Sequence, residues 1–249
     1  MQTPHKSGHN AVLPDDSSKL SKTEQVARMF NGIAGRYDFL NHALSLGIDK
    51  GWRKKAIASI LPVGPKNILD VATGTGDLAL AAAHATGAHV IGVDISEGML
   101  EVGRQKVQKN NLGDKVVLES GDSAAMSYRD TQFDAVMCAY GVRNFEHLEQ
   151  GLKEMQRVMR PGGRLAILEF SRPKMFPVKQ VFGFYFKHVL PALGNLVSKH
   201  GRAYTYLNES AMAFPEGAEF VRILERCGFT GVKAQPLTFG ITTLYTASK

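Results

Sequence analysis

The chain has 249 residues, of which 44% are hydrophobic and 21% charged, and its formal net charge is +7. This length and apolar content predict one large α/β domain with a continuous core, and they exclude a chain that is disordered throughout. The positive charge favours nucleic acid, an anionic membrane or acidic ligands as partners, but it carries no information about the fold. Two cysteines in no recognisable spacing, Cys138 and Cys227, indicate a reduced, cytosolic compartment.

The N-terminal region is predicted to hold a polar tail and then helices. Residues 1–20 are expected to be flexible, and they lack the apolar run of a secretory signal. Ser21 and Glu24 have the spacing of a capping box. The apolar residues that follow share one helical face, namely Val26, Met29, Phe30 and Ile33. We therefore expect residues 21–60 to form a helical lid over the rest of the domain.

Short apolar runs alternate with helical stretches between residues 67 and 170. The runs are apolar on both faces, which is typical of parallel strands that helices cover on both sides. They predict strands near residues 67–72, 88–93, 115–120, 133–140 and 164–170. Helices are predicted between them, near residues 76–86, 97–110 and 146–159. This alternation indicates a Rossmann-like, doubly wound α/β sheet.

The alternation ends after Ser171. Residues 172–212 are aromatic, basic and helical in tendency, and a helix near residues 215–227 follows. Two strands are predicted near residues 231–236 and 240–247, and their short connection makes them antiparallel. The sequence thus predicts one domain over residues 21–249, with a seven-stranded sheet that is mostly parallel and has an antiparallel last strand. Residues 172–212 form a helical insert in it that faces substrate or membrane.

A glycine-rich loop follows the first predicted strand, in the stretch LDVATGTGDLA of residues 69–79. Gly74 and Gly76 fit the glycine fingerprint of a dinucleotide-binding fold, although an unliganded strand-to-helix turn fits it too. Asp94 ends the second predicted strand, 18 residues after Gly76. A carboxylate there binds both hydroxyls of a ribose or caps the next helix, and Ser96 is the better cap.

The acidic residues near this loop distinguish between two classes of cofactor. A pyrophosphate binds the bare amides of a helix N-terminus, where Asp77 would repel it. Asp70 ends a buried strand, where an unpaired carboxylate is costly. S-Adenosylmethionine has no phosphate and carries a sulfonium and an ammonium group, so carboxylates suit it. Asp122, after the third strand, fits either a contact with the adenine amino group or a helix cap.

The order of these motifs resembles that of class I methyltransferases: Asp70-x-Ala72-x-Gly74-x-Gly76, then Asp94, then Gly121-Asp122, then Pro161-Gly162-Gly163. Two longer motifs, Tyr37–Trp52 and Arg157–Ser171, resemble the signatures of the ubiquinone/menaquinone biosynthesis C-methyltransferase family, of the demethylmenaquinone methyltransferase type. The resemblance runs from about residue 20 to the C-terminus. Asp49 departs from it, because the family usually has His there.

The resemblance implies S-adenosylmethionine as the cofactor and a polyprenylated quinol as the methyl acceptor. The acceptor is demethylmenaquinol in menaquinone biosynthesis and 2-methoxy-6-polyprenyl-1,4-benzoquinol in ubiquinone biosynthesis, and the residues leave both open. The resemblance places cofactor contacts at Thr75, Asp94, Asp122 and Ser123, and the glycine loop adds Asp70, Gly74 and Gly76.

The acceptor carbon lies beside a phenolic oxygen, whose deprotonation makes the ring nucleophilic. Arg143 and Asn144, at the end of the fourth strand, are predicted to hold that oxygen as an anion; the alternatives are a salt bridge and a helix cap. Tyr37, Asp38 and Asn41 are predicted to lie in the lid, or simply to pack there. Asp38 is the candidate proton acceptor. Its rival is Glu169, unless that residue pairs with Arg157 or Arg164.

Residues 157–202 contain nine Lys or Arg residues and one acid. Together with aromatic residues that include Phe176, Phe182 and Phe184, they favour either a peripheral contact with the anionic inner face of the membrane or an ordinary core with a solvated face. No methyltransferase motif for bases is present, so no nucleic acid is expected. The histidine spacing predicts no metal. The rival functions are an NAD(P)-dependent reductase and a non-enzymatic basic adaptor.

Overall fold

A computed structural model describes residues 12–45, 47–184 and 201–249. The helices in these ranges are α1 (Lys22–Ser45), α2 (Ile48–Ile60), α3 (Asp77–Thr86), α4 (Glu97–Lys109), α5 (Leu148–Val158), α6 (Val178–Phe184), α7 (Gly201–Ala213) and α8 (Ala218–Arg226). The strands are β1 (Asn67–Val71), β2 (His89–Asp94), β3 (Val116–Ser120), β4 (Phe133–Ala139), β5 (Met159–Phe170), β6 (Thr230–Leu237) and β7 (Thr242–Ser248).

The strands form one seven-stranded sheet in the order β3-β2-β1-β4-β5-β7-β6. Strand β7 is antiparallel to both of its neighbours, and the other pairings are parallel. The predicted Rossmann-like sheet with an antiparallel last strand is therefore confirmed. Strand order reverses between β1 and β4, and open α/β sheets bind their ligands at this point, beyond the carboxyl ends of the strands.

Two apolar clusters pack against the two faces of the sheet. Residues such as Leu152 of α5 and Phe220 of α8 cover one face, and residues such as Ile57 of α2 and Leu78 of α3 cover the other. The apolar character of both faces of the strands follows from this double cover.

Strand β5 begins earlier than the sequence predicts. The sequence predicts a strand near residues 164–170, after Pro161-Gly162-Gly163, but the strand already begins at Met159 and contains the three residues. The pairing with β4 shifts register here, between Phe133 opposite Met159 and Ala135 opposite Arg164. A Cβ atom at position 163 would lie 2.6 Å from the Met159 side chain. The glycines therefore form a bulge in the strand.

Helix α1 begins at the predicted capping box. The Ser21 amide donates to a Glu24 carboxylate oxygen at 2.9 Å, and the Glu24 amide donates to the Ser21 hydroxyl at 3.2 Å. The helix then continues for 24 residues, through the segment predicted as a lid, to Ser45. Gly47, with φ 76°, separates it from α2. Helix α1 packs against α4 near the carboxyl ends of β1 and β2.

The predicted insert is partly described. It contains α6 and α7, whereas residues 185–200, with Tyr185 and Phe186, lie outside the described residues, as does most of the predicted tail. In the described ranges no helix has both the length and the apolar character needed to cross a bilayer. Both cysteines are buried and free.

Candidate active site

A cavity opens at the carboxyl edge of the sheet, above β1, β2 and β4. Its floor includes Ala72 and Gly74 from the glycine loop and Asp94 from the end of β2. Asp122 and Ser123 line it after β3, and the segment after β4 closes the other side. Helix α1 covers it. The prediction of a site beside the glycine loop thus agrees with the shape of the molecule at this edge.

The glycine loop is built from residues in the left-handed region. Gly74 and Gly76 have φ values of 57° and 78°, which glycine adopts at no steric cost. Gly74 lines the cavity, and its amide donates to Asp94 at 2.8 Å. Gly76 lies at the start of α3, where a Cβ atom would be 3.1 Å from Leu118. Gly76 therefore serves the close packing of the loop and does not line the cavity.

Asp94 joins the glycine loop to helix α4. One of its oxygens accepts from the Gly74 amide and the other from the Ser96 amide, both at 2.8 Å. The Ser96 hydroxyl caps α4 by accepting from the Met99 amide at 3.4 Å, so the expected cap is confirmed. Burial raises the pKa of Asp94, and the two amides oppose that shift. Each oxygen keeps a lone pair for a ligand hydroxyl.

The described residues that line the cavity include three acids, Asp94, Asp122 and Glu146, and no Lys or Arg. Asp122 accepts from the Ala124 amide at 2.9 Å, and Glu146 accepts from the Thr23 amide of α1 at 3.0 Å. An anionic pyrophosphate would meet three carboxylates here, whereas a cationic ligand is favoured by them. These three carboxylates therefore fit S-adenosylmethionine, which is cationic at its sulfonium and ammonium groups.

Asp70 lies behind the loop instead of in the cavity. Its side chain is buried, and its carboxylate accepts from the Thr73 hydroxyl at 2.6 Å. Burial raises the pKa of Asp70 to about 7, with the Thr73 hydrogen bond opposing the shift. The contact of Asp70 with a cofactor stays a prediction, and its observed contact is with the loop.

Asp38 and Thr75 belong to a charged cluster outside the cavity. The Thr75 hydroxyl donates to Asp38 at 2.5 Å, and the Lys106 ammonium lies 2.8 Å from the same carboxylate. Lys106 also pairs with Asp77, which Arg53 approaches at 3.3 Å. Neither Asp38 nor Thr75 lines the cavity, so the structure does not bring Asp38 to the place where a proton would be removed.

Tyr37, which precedes Asp38, does line the cavity, and its ring meets Phe30 edge to face at 5.8 Å. The side chain of Asn41 lies outside the described residues. Asp49, at the position where the resembled family has His, is buried, accepts from Ser45 at 2.6 Å and pairs with Arg53. These contacts give Asp49 a role in holding α1 and α2 together.

A buried ion pair lies beside the cavity, between Arg143 and Glu169. Their side chains are 4% and 1% exposed, and one Arg143 Nη lies 2.9 Å from a Glu169 oxygen. Arg143 also donates to the Tyr140 carbonyl and lies 5.4 Å from the Phe170 ring. The alternative in which Glu169 pairs with Arg157 or Arg164 is wrong, because Glu169 pairs with Arg143, and Arg157 bonds to Glu154 and Asp130.

Two atoms of this pair, Arg143 Nε and Glu169 Oε2, have no hydrogen-bond partner. In the part of the chain that the structure describes, they are the only buried side-chain polar atoms without one. Burial raises the pKa of Glu169, while the Arg143 charge opposes the shift. A buried donor and a buried acceptor left unbonded side by side cost free energy, so they need an explanation, such as a ligand or a bridging water.

Asn144 connects this pair to the cavity. It lines the cavity, and its side-chain oxygen accepts from the Tyr206 hydroxyl of α7 at 3.2 Å. Helix α5 has His147 at its N-cap position, so the alternative in which Asn144 caps that helix is wrong. Arg143, the residue before Asn144 in the chain, does not line the cavity.

Aromatic side chains that the sequence analysis did not select form a wall at the same place. Tyr140, with φ 59°, lines the cavity, and its ring lies 4.5 Å from Phe170 and 6.2 Å from Trp52. A positive φ in a bulky residue is strained and is found mainly at functional sites. The sequence feature that could have indicated Tyr140 as a site residue is its position at the end of β4, next to Gly141.

Helix α1 contributes cavity residues that the sequence analysis assigned only to an apolar face. Val26 and Phe30 line the cavity together with Thr23. The helical spacing of the two apolar residues was the signal, but spacing does not say whether an apolar face covers a core or a ligand.

The predicted basic region does not form one patch. Arg157 and Arg160 lie near the amino ends of the parallel strands, where Arg160 pairs with Asp134 at 2.6 Å. That edge is opposite to the cavity. Phe182 is buried, whereas Phe184 is exposed. Among the residues that the structure describes, no group of three or more potential metal ligands is present.

The sheet with one reversed strand, the glycine loop and the acid-lined cavity together define a class I methyltransferase. The chain belongs to the ubiE/COQ5 methyltransferase family, whose profile matches residues 18–249. It is therefore a methyltransferase, and its methyl donor is S-adenosylmethionine.

Two relatives and one solved structure illustrate this. The chain is 51% identical to a demethylmenaquinone methyltransferase of Bacteroides fragilis, over 94% of this chain and 96% of the relative. It is 44% identical to a ubiquinone/menaquinone biosynthesis C-methyltransferase of Geobacter sulfurreducens, over 92% and 90%. The fold matches an S-adenosylmethionine-dependent methyltransferase of Thermotoga maritima with a TM-score of 0.63 and 17% identity, over 89% and 98% of the two chains.

Proposed function

We propose that this chain methylates a ring carbon of demethylmenaquinol and so forms menaquinol. The observation that carries the proposal is the position of the unbonded Arg143 and Glu169 atoms beside an acid-lined cofactor cavity. The name of the 51% identical Bacteroides relative supports the naphthoquinol as the acceptor. The name of the Geobacter relative leaves the benzoquinol of ubiquinone biosynthesis as the alternative acceptor.

S-Adenosylmethionine, when bound, supplies an electrophilic methyl group on sulfur. Asp94 accepts from the ribose hydroxyls, and Asp122 with Ser123 binds the adenine edge. Gly74 lets the backbone approach the ligand closely. Asp70, Thr75 and Gly76 act on the same site indirectly, because their observed contacts hold the loop and α1. Tyr37 belongs to the lid and excludes water from the cavity.

We infer that the acceptor phenol supplies the missing partner of the two unbonded atoms of the buried pair. Arg143 Nε donates a hydrogen bond to the phenolic oxygen, and Glu169 Oε2 accepts the phenolic proton. The ring carbon beside the phenolate then bonds to the methyl group as the methyl–sulfur bond breaks. That carbon finally loses its own proton to water, the ring regains its aromaticity, and Glu169 returns its proton to the phenolic oxygen. Asn144 stabilises the same oxygen from the cavity side.

Glu169 is a better proton acceptor than Asp38, the candidate from the sequence. Burial raises the pKa of Glu169, which brings the carboxylate closer to the basicity that general-base catalysis needs. Neither acid lines the cavity, but both oxygens of Asp38 are bonded, to Thr75 and Lys106, whereas Glu169 Oε2 has no partner. The quinol carries a polyprenyl chain, so we also propose that the chain contacts the anionic inner face of the membrane peripherally.

A methyl-transfer assay tests the proposed reaction. The purified protein is given S-adenosylmethionine with a labelled methyl group and either demethylmenaquinol or 2-methoxy-6-polyprenyl-1,4-benzoquinol in detergent micelles. We expect the label in menaquinol. Label in the benzoquinol alone would move the protein to ubiquinone biosynthesis, and tight NADH binding without any transfer would support the reductase. Cells that lack the protein should accumulate demethylmenaquinone.

A further inference from the structure

Several large apolar side chains protrude at the carboxyl edge of the sheet. Phe176 is 81% exposed, Phe239 66%, Met175 61% and Ile48 45%. Single exposed apolar residues are normal, but a group of them in one region marks a surface that binds something apolar. We call these four residues the apolar apex.

Hydrogen bonds and packing hold the three segments of the apolar apex side by side. The Trp52 indole donates to the Thr238 hydroxyl at 2.8 Å, and Ile48 lies one helical turn before Trp52 in α2. The Ser171 hydroxyl donates to the Gly240 carbonyl at 2.8 Å. A Cβ atom on Gly240 would lie 3.7 Å from the Pro173 backbone. The start of α2, the segment after β5 and the turn before β7 therefore share one surface.

The turn that presents Phe239 is strained. Thr238 and Phe239 have φ values of 45° and 57°, and Gly240 follows with 87°. Left-handed backbone is unfavourable in non-glycine residues, and here it places an aromatic ring in water. Strain of this kind persists at sites that have a function. Exposed Phe239 therefore differs from an ordinary exposed apolar residue, whose backbone is unstrained.

The surroundings of the apolar apex are cationic. The exposed charged residues in these segments include Lys50, Lys174 and Lys179, while Arg172 pairs with Glu216 at 3.1 Å. Residues 47–55, 171–184 and 238–241 contain one acid, Asp49, and it is buried. Apolar side chains with exposed lysines in the same segments match a bilayer with anionic headgroups, because the aromatic rings enter the acyl region and the ammonium groups meet the phosphates.

We propose that the apolar apex inserts into an anionic bilayer and brings the mouth of the active site to the membrane. The segments of the apex join β5 directly after Phe170 and β7 directly before Thr242. Phe170 belongs to the aromatic wall, and Tyr140 of that wall contacts Thr242 at 3.2 Å. This inference rests on the proposed function. The placement lets the quinol ring move from the bilayer to the Arg143–Glu169 pair without exposing the prenyl chain to water.

Vesicle sedimentation tests the proposal. The full chain is mixed with phosphatidylcholine vesicles that contain about one third phosphatidylglycerol, and with vesicles of phosphatidylcholine alone. We expect the double variant Phe176→Glu with Phe239→Glu to lose binding by at least about tenfold. The matched control is Leu61→Glu with Val117→Glu, since Leu61 and Val117 are exposed apolar residues away from the apex. The control should bind like the original protein.

Turnover separates this proposal from the proposed reaction. The apex variant should methylate a short-chain, water-soluble demethylnaphthoquinol normally and lose activity on the long-chain quinol in vesicles. Absence of methyl transfer by the original protein, with vesicle binding lost in the apex variant alone, would reject the reaction and keep the surface. Equal binding by the apex variant, equal loss in the control, or binding independent of phosphatidylglycerol would overturn the surface. A shift from dimer to monomer without lipid would assign the apex to a contact between copies, which also overturns it.

Discussion

The cofactor side and the acceptor side of the cavity satisfy their charges in opposite ways. On the cofactor side, both oxygens of Asp94 and one oxygen of Asp122 accept backbone amides. On the acceptor side, Arg143 and Glu169 bond to each other and each keeps an unbonded atom. A carboxylate held by amides is fixed before the ligand arrives, whereas the proposed function has the acceptor phenol complete the ion pair. Substitutions on the first side should therefore change affinity, and those on the second should change turnover.

The largest expected effect is on turnover in Glu169→Gln. The amide still accepts from Arg143 but cannot take a proton, so kcat should fall by about 10²–10⁴-fold. The Kd of S-adenosylmethionine should change by less than about threefold. Single-turnover kinetics and calorimetry measure the two quantities. Glu154→Gln, which affects the ion pair with Arg157 on helix α5, is the control. An equal loss of affinity and rate would contradict the division between the two sides.

The next effect concerns Asp70, the acid behind the glycine loop, whose pKa burial raises to about 7 from 3.8. Between these values the folded chain holds a proton that the unfolded chain has released, so the free energy of unfolding falls as pH rises from about 4 through 7. Asp70→Asn removes this loss. The variant should therefore gain roughly 4 kcal/mol relative to the original protein between pH 4 and pH 8.

Chemical denaturation at the two pH values measures this difference. A parallel pH dependence of both proteins would show that Asp70 is ionised in the folded chain and that the cofactor side carries one more negative charge than we infer.

A smaller effect is expected on the affinity of Asp94→Asn for S-adenosylmethionine. The single amide oxygen can accept from only one of the Gly74 and Ser96 amides, so the other bond is lost, and a ribose hydroxyl loses an anionic acceptor. The Kd should rise by roughly 10–100-fold, or about 1.5–3 kcal/mol, at unchanged kcat. Asp114→Asn, at an exposed position, is the control. Loss of kcat at saturating cofactor would place Asp94 in the chemistry instead.

The smallest effect is expected where α1 meets the cofactor side. The Asn31 side-chain oxygen accepts from the Ser96 hydroxyl and from the Gly98 amide, both at 2.8 Å. Asn31→Ala removes these bonds at the start of α4 and should cost about 1 kcal/mol of stability. Thermal unfolding measures it. A faster dissociation of S-adenosylmethionine from the same variant would support the role of α1 as a lid.

The two sides also differ in how far the sequence predicts them. The cofactor side depends on short-range spacing: Gly74 and Asp94 end neighbouring strands, so their meeting follows from the strand pattern alone. Arg143 follows β4 and Glu169 lies near the end of β5, so the strand pattern places both at the carboxyl edge, but several arginines were equally available in the sequence as the partner of Glu169. The bulge at residues 161–163 escaped prediction because register with β4 creates it. Asp38 fits a catalytic role by its type, but its neighbours come from parts of the chain that are distant in sequence, Thr75 from the glycine loop and Lys106 from α4.

The place of β7 in the sheet has a consequence for synthesis of the chain. Strand β5 takes its hydrogen bonds on one side from residues 242–248, which leave the ribosome more than 70 residues after β5 itself. Until then β5 presents an open, apolar edge, the kind of edge on which other chains add strands. Strand β6, although made earlier, has no place in the sheet before β7 arrives, because β7 is its pairing partner. The nascent chain should therefore depend on chaperones most strongly between the completion of residue 170 and the emergence of residue 248.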